Sequence, residues 1–144
     1  MKLLALLLCL AATAYALPPL PPTLTIYDAT ATPANKGGSS AVSMVIHNPQ
    51  DSPATIIGAT SPFARKVVLQ HYVKQDGVTQ LYPLKSLTVP AHADAAIVPF
   101  GLELRLMDVS QDLAYGMDVP LTLTFANGSQ RTVRLTLESP TDDR

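Results

Sequence analysis

The chain has 144 residues, of which 47% are hydrophobic and 15% are charged, with a formal net charge of −1. Without a basic cluster, this composition argues against nucleic acid and anionic membranes as partners. The chain contains one cysteine, Cys9, within a segment that we expect to be removed. The mature protein should therefore lack disulfides, thiolate metal sites and a cysteine nucleophile.

The first sixteen residues have the pattern of a secretory signal peptide. Lys2 supplies a positive end, residues 3–12 form an apolar run, and Ala14-Tyr15-Ala16 is a small-x-small cleavage site. The run is shorter than the roughly 20 residues of a membrane-spanning helix. Leu8 precedes Cys9, where a lipoprotein cleavage site would have a small residue. We expect an exported protein, periplasmic or secreted, that is cleaved near Ala16 and has no membrane span.

The remaining residues are enough for one domain with its own core. Residues 17–22 read Leu-Pro-Pro-Leu-Pro-Pro and predict a stiff, proline-rich spacer, because proline lacks a backbone donor. Residues 23–138 should form the folded domain, and residues 139–144 a polar tail that frays.

The domain is predicted to be all-β. Short runs with period-two alternation and turn residues between them recur along residues 23–138, and no amphipathic helix is visible. Gln75-Asp76-Gly77 is a hairpin signal between strands at 66–73 and 78–82. We expect an antiparallel Greek-key β-sandwich of cupredoxin or immunoglobulin type, with a closed barrel as the alternative.

The last two predicted strands meet near Asn127-Gly128, and their inward residues are all odd-numbered. Opposed residues of an antiparallel pair share a face, so the loop between them must have an odd number of residues. We predict Asn127-Gly128-Ser129, with Leu123 opposite Val133. The inward residues are Leu121, Leu123, Phe125, Val133, Leu135 and Leu137.

One further strand is predicted within residues 101–109. Leucines at 102, 104 and 106 alternate with Glu103, Arg105 and Met107. Alternation of this kind is typical of a strand with one buried face, so we expect leucine to point inward and charge outward. Glu103 and Arg105 lie two apart on the same face and should form an ion pair.

Several segments, in their order and spacing, resemble the periplasmic copper chaperones of the PCu(A)C family. The resemblance implies a β-sandwich that binds copper(I) and takes part in copper trafficking. It also implies a protein partner, either a copper enzyme or the machinery that assembles one. The matching segments are Tyr27-Asp28-Ala29-Thr30-Ala31-Thr32-Pro33, Ile46-His47-Asn48, Ile57-Gly58-Ala59-Thr60-Ser61-Pro62, Asp76-Gly77-Val78 and Val119-Pro120-Leu121-Thr122-Leu123-Thr124-Phe125.

The resemblance also locates the family's metal site. In that family a His, a Met and a His-x-Met hold copper(I), and their positions align with Gln70, Leu81, Glu103 and Arg105. Copper(I) prefers thioether or imidazole donors. An amide, an aliphatic group, a carboxylate and a permanent cation are not such donors. We therefore expect this degenerate site not to hold copper(I), and we assign no cofactor from the residues.

Three alternatives remain. A relocated soft site could combine Met107 with His71 or His47, although His71 points to the face opposite Gln70; Met44 reads as core and His92 as a loop histidine. A metal-free interaction module could use the former metal face to contact a protein, with Gln70, Tyr72, Leu81, Glu103 and Arg105. An enzyme is disfavoured, because no nucleophile elbow, paired metal-ligand histidines or phosphate-binding glycine loop occurs.

Overall fold

The computed structural model describes residues 17–137. The predicted signal peptide and the predicted tail at 139–144 lie outside the described residues. Within them the secondary structure is all strand, and no helix long and apolar enough to cross a membrane is found. The ten strands are β1 Thr25–Ala31, β2 Ser39–His47, β3 Ala54–Thr60, β4 Ala64–Gln75, β5 Val78–Pro83, β6 Leu87–Val89, β7 Asp94–Ile97, β8 Leu102–Val109, β9 Asp118–Phe125 and β10 Gln130–Thr136.

The strands hydrogen-bond in the order β5-β4-β8-β2-β1-β10-β9-β3-β6, and β7 pairs with β2. Buried apolar side chains from both halves of this order form one core, so the halves face each other as the layers of a sandwich. The predicted all-β sandwich is confirmed. The sheet is not purely antiparallel, however, because β1 and β10 run parallel where Thr30 meets Thr136.

The first predicted hairpin is present. Gln75 pairs with Val78, and the two residues between them, Asp76 and Gly77, have φ angles of 54° and 77°. Positive φ at both central residues defines a type I′ turn, whose twist matches that of the flanking strands. The Asp-Gly signal therefore predicts this connection correctly.

The last hairpin differs from its prediction by one position. The loop has three residues, as predicted, but they are Ala126-Asn127-Gly128, and Phe125 N–H donates to Ser129 O at 2.9 Å. Gly128, with φ 84°, supplies the left-handed residue that ends such a loop. Leu123 consequently lies opposite Arg131 and not Val133. The six predicted inward residues are all buried, because the parity is unchanged.

Candidate functional site

Strand β8 has a neighbour on each side, β4 and β2. Gln70 of β4 pairs with Glu103, and Val68 pairs with Arg105. On the other side, Ala41 of β2 also pairs with Arg105. Paired residues share a face, so the even-numbered residues of β4 and the odd-numbered residues of β8 form one surface. This is the surface on which the resemblance places the family's metal ligands.

An ion pair occupies the middle of this surface. Arg105 Nε donates to Glu103 Oε1 at 2.8 Å, and Arg105 Nη2 reaches the same oxygen at 2.6 Å. Arg105 Nη1 also donates to Ser39 Oγ at 2.9 Å. The predicted pairing along the strand is present, but the expectation that charge points outward is wrong for Glu103, which is 0% exposed. Alternation gives the face of a side chain, whereas neighbouring strands decide how deeply that face is covered.

The second oxygen of this carboxylate is isolated. Among the described residues, Glu103 Oε2 is the buried side-chain nitrogen or oxygen atom without a hydrogen-bond partner. Buried polar atoms are ordinarily satisfied, because an unmet acceptor retains the cost of losing water. Arg105 compensates the charge of Glu103 through one oxygen only.

A cavity of about 660 Å³ opens on the same surface, and we call it the β4–β8 cavity. Four of the predicted positions line it: Gln70, Tyr72, Leu81 and Arg105. Leu81 reaches it because β5 places that residue directly opposite Tyr72. Glu103 is joined to the cavity wall through its ion pair with Arg105. The structure thus brings these five side chains together on one face.

The residues of the alternative soft site do not meet. Met107 lines the β4–β8 cavity, but His71 pairs with Leu102 on the face that carries the leucines. His47 Nδ1 contacts Asp94 Oδ1 at 2.5 Å, in a pair that also joins β2 to β7. Within residues 17–137, no group of three or more His, Cys, Asp or Glu side chains is placed to hold a metal ion.

Among the cavity residues that sequence reasoning did not propose are Lys66 and Ser39. Lys66, Val68 and Gln70 are two residues apart along β4 and so lie on one face of the strand. The alternation of the sequence was therefore enough to place Lys66 on the surface of Gln70. Ser39 is different, because it reaches the cavity only through the pairing of β2 with β8, which sets it opposite Met107. No local pattern contains that register.

A turn beside the cavity presents an exposed aromatic ring. Gly101 N–H donates to Val98 O at 3.2 Å, which closes the four-residue turn Val98-Pro99-Phe100-Gly101. Phe100 has φ 64° and is 79% exposed, and its ring lies edge-on to Tyr72 with centroids 5.5 Å apart. Turns with proline second and positive φ third ordinarily have glycine in third place. A bulky residue in this conformation is a strained feature.

The fold is a β-sandwich of the kind found in PCuAC domains. "Copper-bound PCuAC domain from PmoF2" superposes with a TM-score of 0.66 at 20% identity, covering 81% of this chain and 93% of that one. "Solution structure of CuI-DR1885 from Deinococcus Radiodurans" gives 0.61 at 24% identity, covering 92% and 87%. "Apo PCuAC domain from PmoF1" gives 0.66 at 17% identity, covering 81% and 94%. At these identities the likeness shows a shared fold.

The chain belongs to the LpqE-like family, described as "Putative lipoprotein LpqE-like", whose model matches residues 24–137. It is also 29% identical over 89 residues to "Putative lipoprotein Lxx21020" of Leifsonia xyli subsp. xyli (strain CTCB07). That match covers 61% of this chain and 54% of the relative, so the chain spans about half the length of the curated relative. These names describe lipoproteins and fit an exported, envelope-associated protein.

Proposed function

We propose that this is an exported PCuAC-type, copper-chaperone-like protein that takes part in periplasmic copper trafficking without holding copper(I) at the family's usual position. One observation carries the proposal: the ion pair of Glu103 and Arg105 stands where the resemblance places the His-x-Met ligands. The family membership and the fold support the trafficking role. We assign the protein no catalytic activity and propose cleavage of residues 1–16.

The chemistry of the surface supports the absence of copper(I) there. Gln70 and Leu81 offer no soft donor, and Arg105 places a permanent positive charge at the cavity wall. Glu103 is buried, and the oxygen that has a partner is held by Arg105. A copper(I) ion entering the cavity would meet the guanidinium, and among the lining residues it would find one thioether, that of Met107, and no imidazole. A single soft ligand is fewer than the family's site provides.

Anaerobic titration of the purified protein with copper(I), against a competing chelator, tests the proposal. The unaltered protein should compete no better than a folded protein without a copper site. The variant Gln70→His, Leu81→Met, Glu103→His and Arg105→Met should gain a one-to-one complex. Because it replaces both members of the ion pair, it leaves no unpaired buried charge. A tight complex in the unaltered protein, or a folded variant that binds nothing, would contradict the proposal.

A second candidate is a metal-free module that contacts a protein partner through the same surface. The exposed Phe100, held in a strained turn against Tyr72, favours it, because aromatic residues on rigid supports often anchor interfaces. A photo-crosslinking residue at position 100 should yield a specific adduct in the cell envelope. The same residue at Thr132, exposed on β10, is the matched control. Equal labelling from both positions would remove this candidate.

A further inference from the structure

We infer that the β4–β8 cavity binds a monoanionic amphiphile of the organic carboxylate class, with its charged group at Lys66 and its apolar part along Leu81. The size of the cavity, about 660 Å³, lies within the range of roughly 300–1,000 Å³ typical of small-molecule sites. The inference is independent of copper, and it goes beyond a role in trafficking.

The first observation that indicates a ligand is the unpaired side-chain amide of Gln70. Its side chain lines the cavity and is only 8% exposed, and its amide makes no hydrogen bond to any described residue. Among the described residues, Glu103 Oε2 is the side-chain nitrogen or oxygen atom that is fully buried without a partner. The unpaired Gln70 amide is therefore not fully buried, and its accessible surface faces the cavity. An amide with so little exposed surface ordinarily has a hydrogen-bond partner, which here would have to lie in the cavity. Its N–H donors can be met by the oxygens of a carboxylate.

The charges around the cavity fix the charge of the ligand. Arg105 is compensated by Glu103, and Arg65 Nε lies 3.1 Å from Asp108 Oδ2. Lys66 also lines the cavity, and it has no ion-pair partner within residues 17–137. The lining together with Glu103 therefore has one uncompensated positive charge, which matches one negative charge on a ligand.

The rest of the lining is suited to an apolar group. Val68, Leu81 and Met107 face the cavity, and Leu81 and Met107 are 46% and 36% exposed. Ser39 accepts from Arg105 through its oxygen, so its hydroxyl proton remains available to a ligand acceptor. Hydrogen-bond donors and a cation thus share one cavity with an aliphatic wall. An amphiphilic anion uses both parts.

Titration with octanoate, followed by nuclear magnetic resonance of the isotopically labelled protein, tests the inference. Octanoate should bind saturably and shift the side-chain amide signal of Gln70. Octanol and octylamine have the same chain without the negative charge, and acetate has the charge without the chain. Each should bind at least about tenfold more weakly, because it makes only part of the contacts.

Two lysine variants identify the charge contact. Lys66→Gln should weaken octanoate binding about tenfold, whereas Lys74→Gln, on the same strand but outside the cavity, should change it by less than about twofold. Leu81→Asp should abolish binding, and the exposed position of Leu81 makes this change compatible with folding. The inference is overturned by absent saturation, by equal binding of octylamine, or by signal shifts remote from Gln70. The assay contains no metal, so its outcome is separate from that of the copper titration.

Discussion

Arg105 contacts one of the two carboxylate oxygens of Glu103: both Nε and Nη2 reach Oε1, at 2.8 and 2.6 Å, and Oε2 has no partner among the described residues. A bidentate pair would use both oxygens. Removing a carboxylate from water is costly, and a buried pair often does no more than compensate that cost. The pair therefore secures the charge of Glu103 more than it adds to stability.

Removal of the guanidinium should be severe. Arg105→Met should lower the free energy of unfolding by about 3–5 kcal/mol, since it leaves the Glu103 carboxylate buried and unpaired. Urea denaturation measures this. The matched control is Arg134→Met, because Arg134 and Asp118 form an exposed pair at 3.7 Å, and its cost should be at most about 1 kcal/mol. The double variant Glu103→Leu and Arg105→Met should recover most of the loss. Equal costs for the two single variants would show that Arg105 does not compensate Glu103.

His71 should play no part in a restored copper site. It lies on the leucine face of the sheet, opposite the face of Gln70 and Arg105. Adding His71→Ala to the four-residue copper variant should leave its affinity for copper(I) unchanged in the chelator competition assay. Omitting Gln70→His from that variant is the comparison, and it should weaken binding because it removes an imidazole donor. A loss of affinity caused by His71→Ala would mean that the strand rotates or shifts register.

At position 100, in the turn after β7, glycine should be more stable than alanine, which reverses the usual order of these two residues. Phe100→Gly should be more stable than Phe100→Ala by about 1 kcal/mol, because φ 64° strains alanine but not glycine. Both variants lose the contact with Tyr72, so their difference isolates the backbone term. Thermal or urea unfolding of the two proteins gives the value. If alanine is the more stable variant, residue 100 does not adopt the left-handed conformation in solution.

Gly128 should be required for the last hairpin. Gly128→Ala should lower the free energy of unfolding by about 1 kcal/mol because its φ is 84°, although an added Cβ would meet no atom within 4 Å. Gly58→Ala is the matched control: its surroundings are equally open and its φ is not left-handed. That variant should be unchanged or more stable, by up to about 1 kcal/mol. Equal losses at both positions would exclude a conformational cause at Gly128.

Local signals in the sequence predicted much of the sheet. Asp76-Gly77 encodes a two-residue turn by its own conformational preferences, so that hairpin could be recognised directly. The odd numbering of the inward residues predicted which faces of β9 and β10 are buried, and it predicted that the loop between the strands has an odd number of residues. The exact register was wrong, because the left-handed position falls on Gly128 and moves the loop back by one residue.

The features that could not be predicted depend on contacts between distant segments. Asp28 adopts φ 51° and shifts the register of β1 against β2, which alternation in β1 alone does not encode. Glu103 was placed on the correct face but at the wrong depth, since its burial depends on a central strand having β4 and β2 as neighbours. The cavity includes Ser39 for the same reason. Strand order is a long-range property that the sequence pattern does not reveal.

The parallel contact of β1 with β10 places the first and last strands side by side. The sheet order cannot be completed until the final strand has emerged, because β10 is the link between β1 and β9. A chain that is translocated from its N-terminus would thus remain unable to close its sandwich during most of its passage. Contacts between residues so far apart in the sequence form slowly, so we expect closure of the sandwich to limit the rate of folding.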